Sequence, residues 1–349
     1  MPTGSRTSTG RDDAAEIARL ADEIKRAADE LTNYDRGDVK LLARSFQELK
    51  DCVSMLAAYR NRLKVTVFGS ARTKPDSVLY EQARGFGRLM AAKDYLVITG
   101  AGPGIMEAAH EGAGRAASMG FNIRLPFEQG ANPIVEGDPK LRTLNYFFTR
   151  KLLFLKEAHA VVLFPGGFGT LDEGFEVLTL LQTGRAGTLP VVMIDAPGGA
   201  YWKDWRRYVE QELLNAGWVS PEDMSLFHIT DDIQDAVAEI DRFYRVYHSQ
   251  RYVAGKLVLR LRAEIPDAQF ETIVEQFTDI LSPGGRFSRA DAHHHERNEP
   301  LLHKMPRLKL DFNRRSFGRL RELIDWINDH VPPEPESAAS DINSSSMTK

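Results

Sequence analysis

The stretch AVVLF, Ala160 to Phe164, runs straight into PGGFGTLDE, Pro165 to Glu173. A continuous apolar run of this length reads as a strand buried on both faces, the kind that parallel sheets contain. Gly166, Gly167 and Gly169 then permit a tight turn with close backbone approach. Thr170 is placed to cap a helix over 170–183, and Thr170-x-x-Glu173 has the spacing of a capping box. Free N–H groups at a helix start, backed by the helix dipole, bind phosphate. On these residues alone, the turn reads equally as a ligand cradle and as a structural corner.

Working outward, the same strand–glycine–helix grammar recurs. Val65–Phe68 ends in GSA (69–71), and Tyr95–Thr99 ends in TGAGPG (99–104) before IMEAA. Further strands are expected at Phe121–Leu125, Leu189–Ile194 and, more weakly, Phe227–Ile229, with helices near 76–92, 104–118, 145–158, 201–216 and 233–247. Buried strands alternating with helices predict a Rossmann-like, doubly wound α/β domain over 63–248, whose ligands bind at the carboxyl ends of the strands. Several glycine turns on one sheet suit a ligand larger than a bare anion. Gly69, Ser70, Gly102 and Gly104 therefore become candidate contacts. Glu107, in the first turn after the second loop, sits where the dipole favours an acid in any case. Glu128 follows a strand end and Pro126, a position suited to a ligand-facing loop.

The flanks differ in character. Residues 1–12 are rich in Ser, Thr and Gly and read as disordered, as does the tail 332–349. Residues 13–62 carry two amphipathic patterns, Ile17/Leu20/Ala21/Ile24 and Leu41/Leu42/Phe46/Leu49/Val53, a helical extension with a face for the main domain or for a partner subunit. Between 249 and 331, LVLRLRA (257–263) and LKLDF (308–312) alternate apolar with polar or basic residues, accompanied by helices near 267–281 and 316–329. This predicts a small α+β accessory domain on an antiparallel sheet, with one wet, basic face suited to an anionic effector or to subunit contacts. Residues 284–321 hold ten Lys/Arg against four Asp/Glu, but such runs are usually solvated faces. His293, His294 and His295 are consecutive, so no regular element puts all three on one face, and a solvated loop is the expected reading.

Bulk properties narrow the class. With 42% apolar and 27% charged residues the chain is a globular protein, and a net charge of −4 argues against nucleic-acid binding. Cys52 is the single cysteine, which excludes an internal disulfide framework and suits a reducing, cytoplasmic setting. No apolar run approaches the ~20 residues of a membrane span, and the first residues lack the apolar segment of a secretory signal.

GSA, TGAGPGIMEAAHEGA, LPFEQ, FFTRK and PGGFGTLDE occur in the order found in the Lonely guy (LOG) family, which the chain resembles over about 64–245. Its members hydrolyse nucleoside 5′-monophosphates to free base and ribose 5-phosphate. Plant members activate cytokinins this way, bacterial relatives act on ordinary nucleotides, and many were mislabelled lysine decarboxylases. Phe-Phe-Thr before Arg150 differs from the plant Met-His pattern, and GPGIMEAA suits the bacterial branch. AMP or another purine nucleotide is therefore the expected substrate, with cytokinin riboside monophosphate as a variant. The resemblance implies Arg150 and Glu173 as the catalytic pair. It also implies substrate contacts from Lys151, Glu128, Thr179 and the Gly166–Asp172 segment, which includes Phe168 and Asp172. It further implies a homodimer or higher homo-oligomer with sites near the interface, and neither metal nor organic cofactor.

The chemistry makes sense of that pair. Breaking the C1′–N bond develops positive charge on the ribose, as in glycoside hydrolysis, and a carboxylate beside the sugar stabilises it or orients the attacking water. Glu173, one turn into a helix that holds phosphate at its start, lies about one sugar from that phosphate. Arg150 offers a planar fork to phosphate or carboxylate. The main rival is a non-catalytic nucleotide sensor or carrier built on the same loops. A nicotinamide-dependent oxidoreductase fits poorly, because the first strand ends in GSART rather than in a G-x-G-x-x-G. Pyridoxal chemistry would need a Schiff-base lysine that nothing identifies.

Overall fold

The computed structural model describes residues 10–126, 130–291 and 300–333 of the 349. Helices α1 (Gly10–Glu30) and α2 (Arg36–Ala57) come first. The α/β region follows as β1 (Lys64–Phe68), α3 (Val78–Ala92), β2 (Leu96–Thr99), α4 (Ile105–Ala117), β3 (Ser118–Ile123), β4 (Leu141–Leu144), α5 (Phe147–Lys156), β5 (Ala160–Leu163), α6 (Phe168–Gln182), β6 (Val191–Ile194), α7 (Tyr201–Tyr208), β7 (His228–Thr230) and α8 (Ile233–Phe243). The remainder is β8 (Tyr247–Val253), β9 (Lys256–Leu261), α9 (Asp267–Gln276), β10 (Phe287–Ala290), α10 (Pro300–His303), β11 (Arg307–Leu310) and α11 (Phe317–His330).

The first seven strands form one parallel sheet in the order β4-β3-β2-β1-β5-β6-β7. Helices cover both faces, and two apolar cores lie on either side of it. This is the expected doubly wound fold. The edge strand β4 was not foreseen: LRTL is half polar and buries only Leu144 fully, so it lacks the apolar run that marks the inner strands. β3 begins at Ser118, three residues ahead of the expected Phe121, because α4 ends at Ala117, shortly after Gly114 turns to φ 73°. α7 stops at Tyr208 and continues as a wider π-turn over Val209–Leu214, where one regular helix to 216 was expected.

The second sheet is antiparallel, ordered β10-β11-β9-β8, with α9 and α11 packed around its own core. Two of its strands escaped the sequence reading. β8 (YHSQRYV) is polar and overlaps the end of the helix expected to reach 247, and β10 (FSRA) spans four residues. The two units are welded together. Phe243 of α8 belongs to the second core, and the Phe317 ring occupies the space beside Gly184 where any side chain would collide with it. Arg321 reaches across to Glu239 at 2.7 Å, while Arg242 pairs with Asp329 at 2.6 Å.

α2 docks on the sheet through Cys52, Met55 and Leu56, and Glu48 accepts hydrogen bonds from Asn145 and Thr149. α1 begins at Gly10, inside the stretch expected to lack structure, since each residue added to a helix gains a bond once nucleation is met. Ile17, Leu20 and Ile24 of α1 are exposed. Of the expected basic face, Arg307 donates to the carbonyls of Leu302 and Met305, Lys256 pairs with Asp311, and Arg289 pairs with Asp267. The triple histidine 293–295 lies outside the described residues, as do 1–9 and the tail from 334. No described helix is long and apolar enough to cross a membrane.

Candidate functional site

A cavity of about 660 Å³ opens over the carboxyl ends of β3, β2, β1 and β5, within the usual range for small-molecule sites. Its floor is backbone from the three glycine turns. The turn after β5 holds its shape through packing: a side chain at Gly166 would collide with Thr170, and its Cβ would lie 3.0 Å from the Ser70 nitrogen. Tyr201 donates to the Gly166 carbonyl at 2.6 Å, and Ser70 N–H to that of Pro165 at 3.2 Å. Gly167, not Thr170, occupies the cap position of α6, so the helix starts two residues before the expected Thr170. No side chain caps it, and the Thr170/Glu173 capping box does not form. Thr170 and Leu171 N–H bond back to the Gly167 carbonyl. Among the described residues no acceptor meets the N–H groups of Gly167, Phe168 or Gly169, which line the cavity. They form a donor-rich helix start of the kind that takes phosphate.

The turn after β2 is equally fixed. Gly104 has φ 68°, which glycine adopts without penalty, and a side chain there would strike the Ser70 carbonyl. Ala101 is also left-handed, at φ 57°, held by Thr99 Oγ1 accepting its N–H at 2.9 Å and by Asn132 N–H on its carbonyl at 2.8 Å. Asn132 Nδ2 donates to the Gly102 carbonyl at 3.1 Å and lies 3.3 Å from His110 Nδ1. Burial pushes His110 down to about 4, so the imidazole is neutral, and its Nε2 lies 3.1 Å from the Met119 carbonyl. A neutral ring donating from Nε2 and accepting at Nδ1 satisfies both contacts.

Glu173 enters the cavity from the second turn of α6. The residue is 5% exposed, and Oε2 has no hydrogen-bond partner among the described residues. Burial raises the carboxyl to about 7, against the pull of Lys151 and Arg150. Arg150, on α5, lies 5.0 Å from the Phe147 ring centre and 5.4 Å from that of Phe154. Lys151 instead faces the acids of α6, at 2.7 Å from Asp172, 2.7 Å from Glu176 and 3.6 Å from Glu173.

Of the residues expected from sequence, Gly69, Ser70, Gly102, Arg150, Gly167, Phe168, Gly169, Thr170 and Glu173 line this cavity. Gly104 and Gly166 shape its floor from behind. Lys151 and Asp172 form an ion pair beside it. Glu107 does not line it: Glu107 acts electrostatically on Tyr80 of α3, and the adjacent Met106 lines the cavity. Thr179 donates to the Phe175 carbonyl and lines a separate small cavity with Phe175 and Trp205. Glu128 lies outside the described residues. Arg72, Met106, Asn122, Phe147 and Phe154 line the cavity without having been foreseen. Arg72 directly follows GSA, Met106 lies within TGAGPGIMEAAHEGA and Phe147 opens FFTRK, while Asn122 and Phe154 lie outside the quoted motifs.

The chain is similar in sequence to several known proteins. A family model described as "Possible lysine decarboxylase" matches residues 104–240. The cytokinin riboside 5′-monophosphate phosphoribohydrolase of Mycobacterium tuberculosis is 30% identical over 163 residues, covering 46% of this chain and 83% of that protein. Its namesake from Rhodococcoides fascians is 29% identical over 181 residues, covering 50% and 88%. The pyrimidine/purine nucleotide 5′-monophosphate nucleosidase of Escherichia coli K12 is 29% identical over 140 residues, covering 37% of this chain and 30% of that protein.

Proposed function

The chain belongs to the Lonely guy (LOG) family of phosphoribohydrolases, and with that membership as premise we propose how its cavity hydrolyses a nucleoside 5′-monophosphate. The products are free base and ribose 5-phosphate, and the substrate is AMP or another purine nucleotide. The 5′-phosphate sits on the N–H groups of Gly167–Gly169. Glu173 faces the ribose in its carboxylate form. As the C1′–N bond breaks, its electron pair leaves with the base, and the carboxylate stabilises the cation left on the sugar. Water adds to C1′, one of its protons is released, and the departing base takes up one proton. Arg150 neutralises charge on the bound phosphate.

The observation that carries this reading is one buried carboxyl, raised to about 7, in the same cavity as unpaired helix-start donors. Such perturbed groups cluster where chemistry is done. The test is a panel of nucleoside 5′-monophosphates scored by chromatography for free base, with adenosine and a cytokinin riboside monophosphate included. AMP should release adenine and adenosine should be far poorer, because phosphate contacts position the sugar. AMP recovered intact from a tight complex would make the protein a carrier.

The exposed Phe147, Phe148 and Leu152 of α5, beside the cavity, support a homodimer that covers the site mouth, measurable by analytical ultracentrifugation. We assign catalysis to residues 63–248, with 13–62 as a helical extension, 249–331 as an accessory domain for assembly or an anionic effector, and a cytoplasmic setting.

A further inference from the structure

We infer that Asn122 reads the base: its side-chain amide is the donor that selects an acceptor atom on the ring edge of the bound nucleotide. The inference rests on the nucleotide reading above and names how that site discriminates among its substrates.

The cavity spans four neighbouring strand ends, from β5 through β1 and β2 to β3. At about 4.8 Å per strand, that is roughly 14 Å. With phosphate on the α6 start beside β5, and Glu173 with Arg150 beyond it, the far end over β2 and β3 is left for the base. That end is apolar, lined by Ile123, Leu125, Met106 and Phe154, surfaces suited to the faces of a flat ring. Asn122 is the polar side chain at the β3 end of the cavity.

The backbone dictates which way its amide points. Gly120 and Arg124 N–H donate to the carbonyls of Lys140 and Leu144, on and beside β4. Alternation along the strand therefore turns the Ile123 N–H toward β2. β2 has already ended at Thr99, which registers with Gly120. Asn122 Oδ1 replaces the missing sheet partner, accepting the Ile123 N–H at 2.8 Å. With the oxygen committed, Nδ2 is the atom left to face the cavity, and no acceptor among the described residues meets it. A residue 8% exposed that keeps an unused donor beside an apolar slot has the form of a recognition contact. A donor alone selects a ring nitrogen or a carbonyl oxygen and disfavours an amino group at the same place.

Asn122→Asp isolates this donor, because the carboxylate still accepts the Ile123 N–H while presenting an acceptor to the base. In the full chain, AMP turnover by this variant should fall about 10- to 100-fold in kcat/KM, the loss for one buried polar contact left unmatched. Inhibition by ribose 5-phosphate, which has no base, should stay within about twofold of wild type. Wild type should penalise one of the 1-deaza, 3-deaza and 7-deaza analogues of AMP beyond the others, and the variant should lose that penalty. Equal weakening toward AMP and ribose 5-phosphate, or an unchanged analogue profile, overturns the assignment. Asn122→Ala, with a thermal melt, separates a folding defect from a lost contact. Wild type that releases no base from any nucleotide would refute the hydrolase reading instead. Calorimetric affinities of AMP and ribose 5-phosphate then still decide the role of Asn122.

Discussion

Replacing Glu173 by glutamine separates what burial does to this carboxyl from what the carboxyl does for the substrate. The folded protein holds it at about 7 rather than at the ordinary 4.5, chiefly because burial disfavours its charge. Below about pH 4.5 the group is protonated whether the chain is folded or unfolded, and it exerts no pH-dependent strain. As pH rises from 4.5 to 7 the unfolded chain ionises first, so stability falls. Above 7 the full penalty applies, about 3 kcal/mol. Glutamine keeps the shape and cannot ionise, and Lys151 retains Asp172 and Glu176, each at 2.7 Å. Glu173→Gln should therefore melt roughly 4 °C above wild type at pH 8 and close to it at pH 5.

The same variant should lose at least about 10²-fold in kcat, the usual loss when one preorganised electrostatic partner is removed. Wild-type kcat/KM should rise with pH through an ionisation near 7, since the carboxylate is the working form. Bound phosphate brings a like charge close to Glu173, so the limb in kcat should lie above the limb in kcat/KM. Differential scanning fluorimetry at the two pH values, beside a base-release assay across pH 5–9, measures both effects. A limb near 4.5, or a variant no better stabilised at pH 8 than at pH 5, refutes the reasoning.

Arg150→Ala, at a residue that lines the cavity, should lower kcat/KM by about 10²-fold or more; steady-state kinetics on AMP test this. Gly169→Ala should fold normally, since a Cβ there meets nothing within 4 Å, yet raise KM at least about tenfold by crowding the phosphate position, whereas Gly166→Ala should lower the melt by colliding with Thr170. A chain cut near Ser249 should aggregate, because it exposes the buried Phe243 and Val246; size-exclusion chromatography reports the outcome.

The inner strands were legible in the sequence because a parallel sheet demands unbroken apolar runs, and the glycine turns because backbone approach leaves little but glycine. β4 and β8 were not, since LRTL lies at an edge and YHSQRYV is largely polar, and neither needs an apolar run. The site divides in the same way. Its backbone floor could be read from glycine spacing, while its walls come from side-chain directions that only packing sets. Glu107 and Met106 are adjacent on α4, and the roughly 100° between successive helical residues sends one toward α3 and the other into the cavity. Asn122 looked like an ordinary strand residue because its importance depends on where β2 stops.

The helix that carries Glu173 is clamped at both ends, and the clamps tie the two units together. At its start, Tyr201 holds the Gly166 carbonyl and the Ser70 backbone buttresses the turn. Past its other end, Phe317 of α11 fills the space beside Gly184, and Gln182 donates to Asp223 at 2.7 Å. Asp223 lies in the short turn Pro221–Leu226, against which Gly318 of α11 packs without room for a side chain. α11 in turn is fastened to α8 by Arg321 and Glu239. A carboxyl whose ionisation is penalised by burial pulls toward any arrangement that lets water reach it. Resisting that pull takes a helix that cannot slide or tilt, and α11 supplies the restraint at the end remote from the chemistry. The second unit thus braces the helix that carries Glu173 through α11, while none of the described residues lining the cavity comes from it.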